Sequence, residues 1–245
     1  MPPAPPGRRK RLALTGLSLG LCLLFAGLGV WQVARLVWKL ELIDQVETRI
    51  HAPAVSTPGP AQWPHLTRAE DQYRHVTAGG RFLHDRETRV QAVTALGPGH
   101  WLMTPLATDD GFIVMINRGF LPGRSDRAPT PTPERPSGRV EVTGLLRISE
   151  PGGGFLRANA PSADRWTSRD VAAISETRGL TGAVAPYFID AAADTRQNVW
   201  PRGGLTVVRF SNNHLVYALT WFALAGLAGF GAWRFARSAP GHPSQ

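Results

Sequence analysis

The sequence predicts a membrane protein of α+β class: two transmembrane helices flanking a mostly antiparallel β domain, an open sheet or a closed barrel, with one or two helices of its own. Three observations predict this. Two apolar stretches, Leu12 to Val30 and Leu215 to Trp233, lie near the ends of the 245-residue chain and contain no charged side chain. All 18 acidic residues fall between Glu41 and Asp194. From Gln72 onward the apolar residues come in short runs punctuated by Gly and Pro, as antiparallel strands do.

Each apolar stretch is long enough to span, because about 20 residues rising 1.5 Å each cover a hydrocarbon core of roughly 30 Å. Arg and Lys beside a span are retained on the cytoplasmic side. Arg8, Arg9, Lys10 and Arg11 precede the first span, Arg234 and Arg237 follow the second, and neither tail holds Asp or Glu. Both termini are therefore expected in the cytoplasm, with the middle of the chain across the membrane. Most of the net charge of +9 sits in these flanks, where it sets topology and meets anionic headgroups. An isoelectric point near 11.0 is thus no sign of nucleic-acid binding, and no basic patch with interleaved aromatics supports it. The first stretch is too long for a cleaved signal peptide and is followed by no Ala-x-Ala site. Cys22, the single cysteine, lies within the span as an apolar filler and leaves no intrachain disulfide. Roughly 180 residues between the spans are enough to bury a core without covalent staples.

The expected order is a basic cytoplasmic tail over 1–11, a transmembrane helix over 12–33, an amphipathic helical extension over 34–52, a periplasmic β-rich domain over 53–210, a second transmembrane helix over 211–233 and a cytoplasmic tail over 234–245. The extension follows from Leu36, Val37, Leu40, Ile43, Val46 and Ile50 at helical spacing, with Pro53 marking its end. Trp31 then falls at the outer interface. Strands are expected near Tyr73 to Thr77, Thr88 to Val93, Trp101 to Ala107, Phe112 to Asn117, Arg139 to Leu146 and Leu205 to Phe210. Asp109, Asp110 and Gly111 make the strongest hairpin turn. A Pro-rich excursion over 122–136 cannot be helix or central strand. Thr167 and Asp170 have capping-box spacing before Val171 and Ile174, and Gly179 can end that helix. In the spans, Gly16 with Gly20 and Ala225 with Gly229 are small-xxx-small pairs that permit close helix packing.

Chemistry is sparse. His214 opens the second span, and His214, Tyr217 and Trp221 stand on one helical face at its outer end. A neutral imidazole there can coordinate a metal or a haem iron, with aromatic rings to pack a macrocycle. The same residues also fit an interfacial anchor, with Asn212 or Asn213 as helix cap. Arg118, between Asn117 and Gly119 after a strand, can clamp a carboxylate or haem propionate, or make a structural salt bridge at a turn. His51, His65, His75, His84 and His100 lack metal-ligand spacing. The neighbours Glu70 and Asp71, like Asp109 and Asp110, suit loops and turns. No nucleophile elbow, phosphate-binding glycine loop, HExxH or CxxC is present.

Several segments together resemble one family. Gly29, Trp31, Gln32, Arg35, Lys39, Leu42 and Ile43 begin the match; Tyr73, Val76, Gly80 and Phe82 follow, then Asn117, Arg118 and Gly119. Next come Gly138, Val142, Gly144, Leu145, Arg147 and Glu150, then Pro201, Gly203 and Gly204, and last the run NNHLVYALTW from Asn212. In this order they resemble the surfeit locus protein 1 family, Shy-type cytochrome c oxidase assembly factors. Phe120 stands where that family often has Trp.

The resemblance implies an assembly factor with no enzymatic activity. It implies haem a as the bound group, His214 as its iron ligand, oxidase subunit I as partner with haem a synthase as a second, and a domain facing the periplasm or intermembrane space. The residues themselves, rather than the resemblance, suggest that Tyr217 and Trp221 would pack the ring or its tail and that Arg118 is the candidate for a propionate. The short N-terminal segment before the first span points to a bacterial inner membrane. Two other classes compete: a structural chaperone holding unassembled subunit I without haem, and a membrane enzyme acting on lipid or quinone.

Overall fold

The computed structural model describes residues 7–123, 131–154, 157–194, 196, 199–206 and 212–237. It forms two compact units, one of the two long helices and one spanning Val46–Val208. The elements run α1 (Arg8–His51), β1 (Val55–Ser56), α2 (Arg68–Asp71), β2 (His75–Phe82), β3 (Thr88–Thr94), β4 (Gly97–Thr108), β5 (Ile113–Pro122), β6 (Val140–Ile148), β7 (Gly153–Gly154), β8 (Arg157–Ala158), α3 (Val171–Thr177), β9 (Val184–Ala191) and α4 (His214–Arg237).

Five strands close a ring in the order β2, β6, β9, β5, β4, with β4 pairing back onto β2. The β domain is therefore a small barrel. Along β4, Gly97–Met103 pairs with β3 and Leu106–Thr108 with the far end of β2, so β3 lies outside the ring. The contact between β5 and β9 is parallel; the other ring contacts are antiparallel. The hairpin at Asp109–Gly111 joins β4 to β5, with Thr108 N–H donating to the Phe112 carbonyl at 2.8 Å.

All five ring strands feed one core: Val76 and Ala78 from β2, Leu106 from β4, Val114 and Ile116 from β5, Leu146 from β6, and Tyr187 and Ile189 from β9. The alternate residues Met103, Met115 and Phe188 meet Val90, Trp166, Val171 and Ile174 in a second core beneath α3. A strand buried on both faces loses its period-2 alternation, and β9, Val-Ala-Pro-Tyr-Phe-Ile-Asp-Ala, is buried continuously from Tyr187 to Asp190 and broken by Pro186, so the sequence does not announce it. The Tyr187 hydroxyl donates to the Pro58 carbonyl at 2.7 Å, and burial pushes its pKa up.

Several local expectations are corrected. Asp170, not Thr167, caps α3: its carboxylate accepts from Ala173 N–H at 3.2 Å, while Thr167 donates to the Arg157 carbonyl. Glu70 and Asp71 form a one-turn helix, with Thr67 accepting from Glu70 N–H and Asp71 accepting from Thr67 N–H. Pro122 is the last residue of β5 rather than the start of a loop. Most of the strand expected over Leu205 to Phe210 lies outside the described residues; Leu205 and Thr206 are not in a strand.

Candidate functional site

Helices α1 and α4 pack antiparallel. Gln32 meets His214, Phe25 stacks on Trp221 at 5.6 Å between centroids, and Cys22 lies beside Gly229. The packing stripe on α4 is a run of small residues, buried Ala218, Ala225 and Ala232, one heptad apart. A spacing of seven keeps one face turned to a neighbouring helix crossing at a shallow angle. On α1 the partner stripe runs through Ser18, Cys22, Phe25, Gly29 and Gln32, alternating steps of four and three. A Cβ at Gly29 would lie 2.6 Å from the Phe222 ring, so glycine sets the approach there. Gly16 and Gly20 are not part of this contact, since nothing lies within 4 Å of a Cβ at either. The large side chains, Leu12, Leu17, Leu23, Leu215, Leu219 and Leu227 among them, point outward.

His214 is the first residue of α4, and Asn212 Oδ1 accepts from its backbone N–H at 3.4 Å. Its ring turns toward α1, where Nδ1 lies 2.7 Å from Gln32 Oε1. Gln32 is only 9 % exposed, a polar amide on the packing face of an otherwise apolar stretch. Trp221 faces the same way, with its ring against Phe25. Tyr217 does not: it is 53 % exposed and points to the side of the seam. The expected stripe of three thus divides, because a residue three positions on lies 60° behind His214 whereas seven positions on lies only 20° behind.

Arg118 belongs to the β unit. Its side chain is 8 % exposed, donates to Glu87 Oε1 at 3.3 Å and to the Glu134 carbonyl, and lies over the Phe82 ring. Burial pushes the guanidinium pKa down, opposed by Glu87 and Glu134. One terminal nitrogen is thus in an ion pair with Glu87 and the other is bonded to a main-chain carbonyl. Glu87 also takes His84 and Arg135. His51 and His75 bind backbone carbonyls, and His100 has its pKa lowered by burial and by Arg89. Among the described residues no group of three or more His, Cys, Asp or Glu side chains is arranged to hold a metal ion.

Sequence reasoning missed a buried polar cluster at one end of the barrel. Asp190, 3 % exposed, accepts from Asn117 at 2.7 Å, Arg147 at 2.7 Å, Arg169 at 3.1 Å and Thr206 at 2.9 Å. Glu150 takes Arg169 by both carboxylate oxygens, at 2.6 and 3.1 Å, and Arg147 at 3.5 Å. Two arginines and two carboxylates make the cluster neutral. Burial pushes the Glu150 carboxyl up, but the hydrogen bond and charge of Arg169, then the charge of Arg147, outweigh it and hold the pKa below its ordinary 4.5. A depressed carboxylate pKa stabilises the fold above the ordinary value, and that contribution is lost as pH falls through the depressed one. The melting temperature of the full chain in detergent should therefore drop on acidification below about pH 4.5, and Glu150→Gln should flatten that drop.

The fold and its helices define a class of protein: a β-barrel domain set in sequence between two helices, each long and apolar enough to cross a membrane. The pattern of the SURF1 family matches residues 19–226. Surfeit locus protein 1 of Homo sapiens is 34 % identical over 234 residues, covering 88 % of this chain and 75 % of its own length. The Mus musculus protein of the same name is 33 % identical over 232 residues, 87 % and 73 % of the two chains. A SURF1-like protein of Monosiga brevicollis is 31 % identical over 236 residues, 89 % and 85 %. This chain belongs to the SURF1 family.

Proposed function

We propose that the chain is an assembly factor for haem-copper cytochrome c oxidase that binds haem a through His214 and assists its insertion into subunit I, without covalent chemistry of its own. The observation that carries this is the setting of His214. Its ring is turned into the α1–α4 seam and its Nδ1 is held by Gln32, whereas an interfacial anchor would turn to the headgroups. A carbonyl oxygen only accepts, so the contact fits a ring with its proton on Nδ1, and in the neutral ring of that form Nε2 offers the lone pair that ligates iron. No other described residue bonds to Nε2. Haem a is apolar apart from its propionates, so it suits a site at the end of a membrane helix. Trp221 backs the site through Phe25, and exposed Tyr217 can meet the macrocycle or its tail from the side. The antiparallel helix pair supports two cytoplasmic termini, because Arg9 and Lys10 of α1 lie at the same end as Arg234 and Arg237 of α4. With the central domain then across a bacterial inner membrane, subunit I and haem a synthase are the natural partners.

The test is the optical spectrum of full-length protein purified after co-expression with haem a synthesis. Wild type should show a Soret band, and His214→Ala should lose it by at least tenfold per mole of protein. Colourless wild type that still captures subunit I would replace this function with that of a haem-free chaperone.

A further inference from the structure

The geometry points to Gln32 as the positioning residue for His214: its side-chain carbonyl selects the Nδ1–H tautomer and fixes the ring plane, so that Nε2 is presented to iron. This rests on the haem reading above. It is carried by three observations. The contact between Nδ1 and Oε1 is short, 2.7 Å, and joins residues 182 positions apart. Gln32 is buried, and a buried amide left without a partner is destabilising, so the pairing holds both side chains. One turn further into the helix pair the packing is close, with Gly29 on α1 against the Phe222 ring and Ala218 of α4 buried.

The chemistry is that of an outer partner of a metal ligand. A histidine that binds a metal through one nitrogen donates from the other to an oxygen, which sets tautomer and orientation, and loss of that oxygen typically costs about 10- to 100-fold in affinity. In this chain the oxygen comes from the other helix. Ligand presentation therefore depends on the α1–α4 pair being in register, and the site is assembled by helix packing rather than by a local loop.

Full-length protein in detergent, labelled with 15N in its histidine rings, would be compared with Gln32→Leu, Gln32→Glu and His214→Ala and titrated with ferric haem a. In the unloaded wild type the His214 ring should give the Nδ1–H tautomer. Gln32→Leu should move it toward Nε2–H, weaken haem binding about 10- to 100-fold and shift the midpoint potential of the bound haem positive. Gln32→Glu, which keeps an acceptor at the same place, should restore the tautomer and the affinity and shift the potential negative. A merely structural glutamine would move neither tautomer nor potential. An unchanged tautomer in Gln32→Leu, or wild-type affinity in that variant while His214→Ala binds nothing, overturns this inference and leaves the haem reading standing. Wild-type binding by His214→Ala overturns both.

Discussion

Asp190→Ala should cost the β domain about 3–5 kcal/mol, enough to leave a marginal domain largely unfolded. Asp190 is the point at which β5, β6 and the segment before α3 are tied to β9: Asn117, Arg147 and Arg169 all donate to it. Removing the carboxylate strands two largely buried guanidinium groups with only Glu150 between them, and an uncompensated buried charge is far more costly than a missing pair. Asp190→Asn keeps the shape and one acceptor but removes the charge, so it should fall between Ala and wild type. Hydrogen exchange of the β5, β6 and β9 amides in the full chain would show the loss. Protection equal to wild type in Asp190→Ala would mean that the cluster does not hold the ring.

Gly119→Ala should be similarly damaging for a different reason. Gly119 has φ 131, a conformation left-handed for an L residue, and a Cβ there would fall on the Arg202 carbonyl. That carbonyl cannot retreat, because Phe120 and Arg202 exchange both backbone hydrogen bonds, at 2.8 and 3.0 Å. The dihedral strain costs about 1–3 kcal/mol and the forced overlap a similar amount. A melting temperature within a degree or two of wild type would contradict this. Asn117 Oδ1 also accepts from Gly119 N–H at 3.2 Å, so the two substitutions touch one network and their effects should not add.

How legible all this was in the sequence follows from which physical signals are local. The long apolar runs, the hairpin at Asp109–Gly111 and strands β3 to β6 announce themselves through composition and turn chemistry within a few residues. Strand β9 does not, since it is covered on both faces and interrupted by Pro186. The α3 cap was misplaced by three residues because Thr167 and Asp170 are both good capping types, and only the fold decides that Thr167 is engaged by Arg157 and Asn159. His214 was visible as a polar residue at the head of a span. Gln32 was named only within the family match and not as part of the site, although a signal existed: on the four-three spacing of Ser18, Cys22, Phe25 and Gly29 it is the next residue, and an amide on a helix-packing stripe needs a partner. The Asp190 cluster had no such signal, because its members are scattered from Asn117 to Thr206 and meet only once the ring has closed.

Closure of that ring has a temporal consequence. Strand β9 is the last of the five in the chain and the bridge between β5 and β6, one neighbour parallel and one antiparallel. No hairpin can stand in for a parallel pairing between strands so far apart. A nascent chain ending before Val184 would hold β5 and β6 with two bare edges and a half-built core, the kind of surface that recruits other strands. Vectorial synthesis thus leaves the domain unsealed until nearly its whole length has emerged, and the second membrane helix follows the sealing strand by only about two dozen residues.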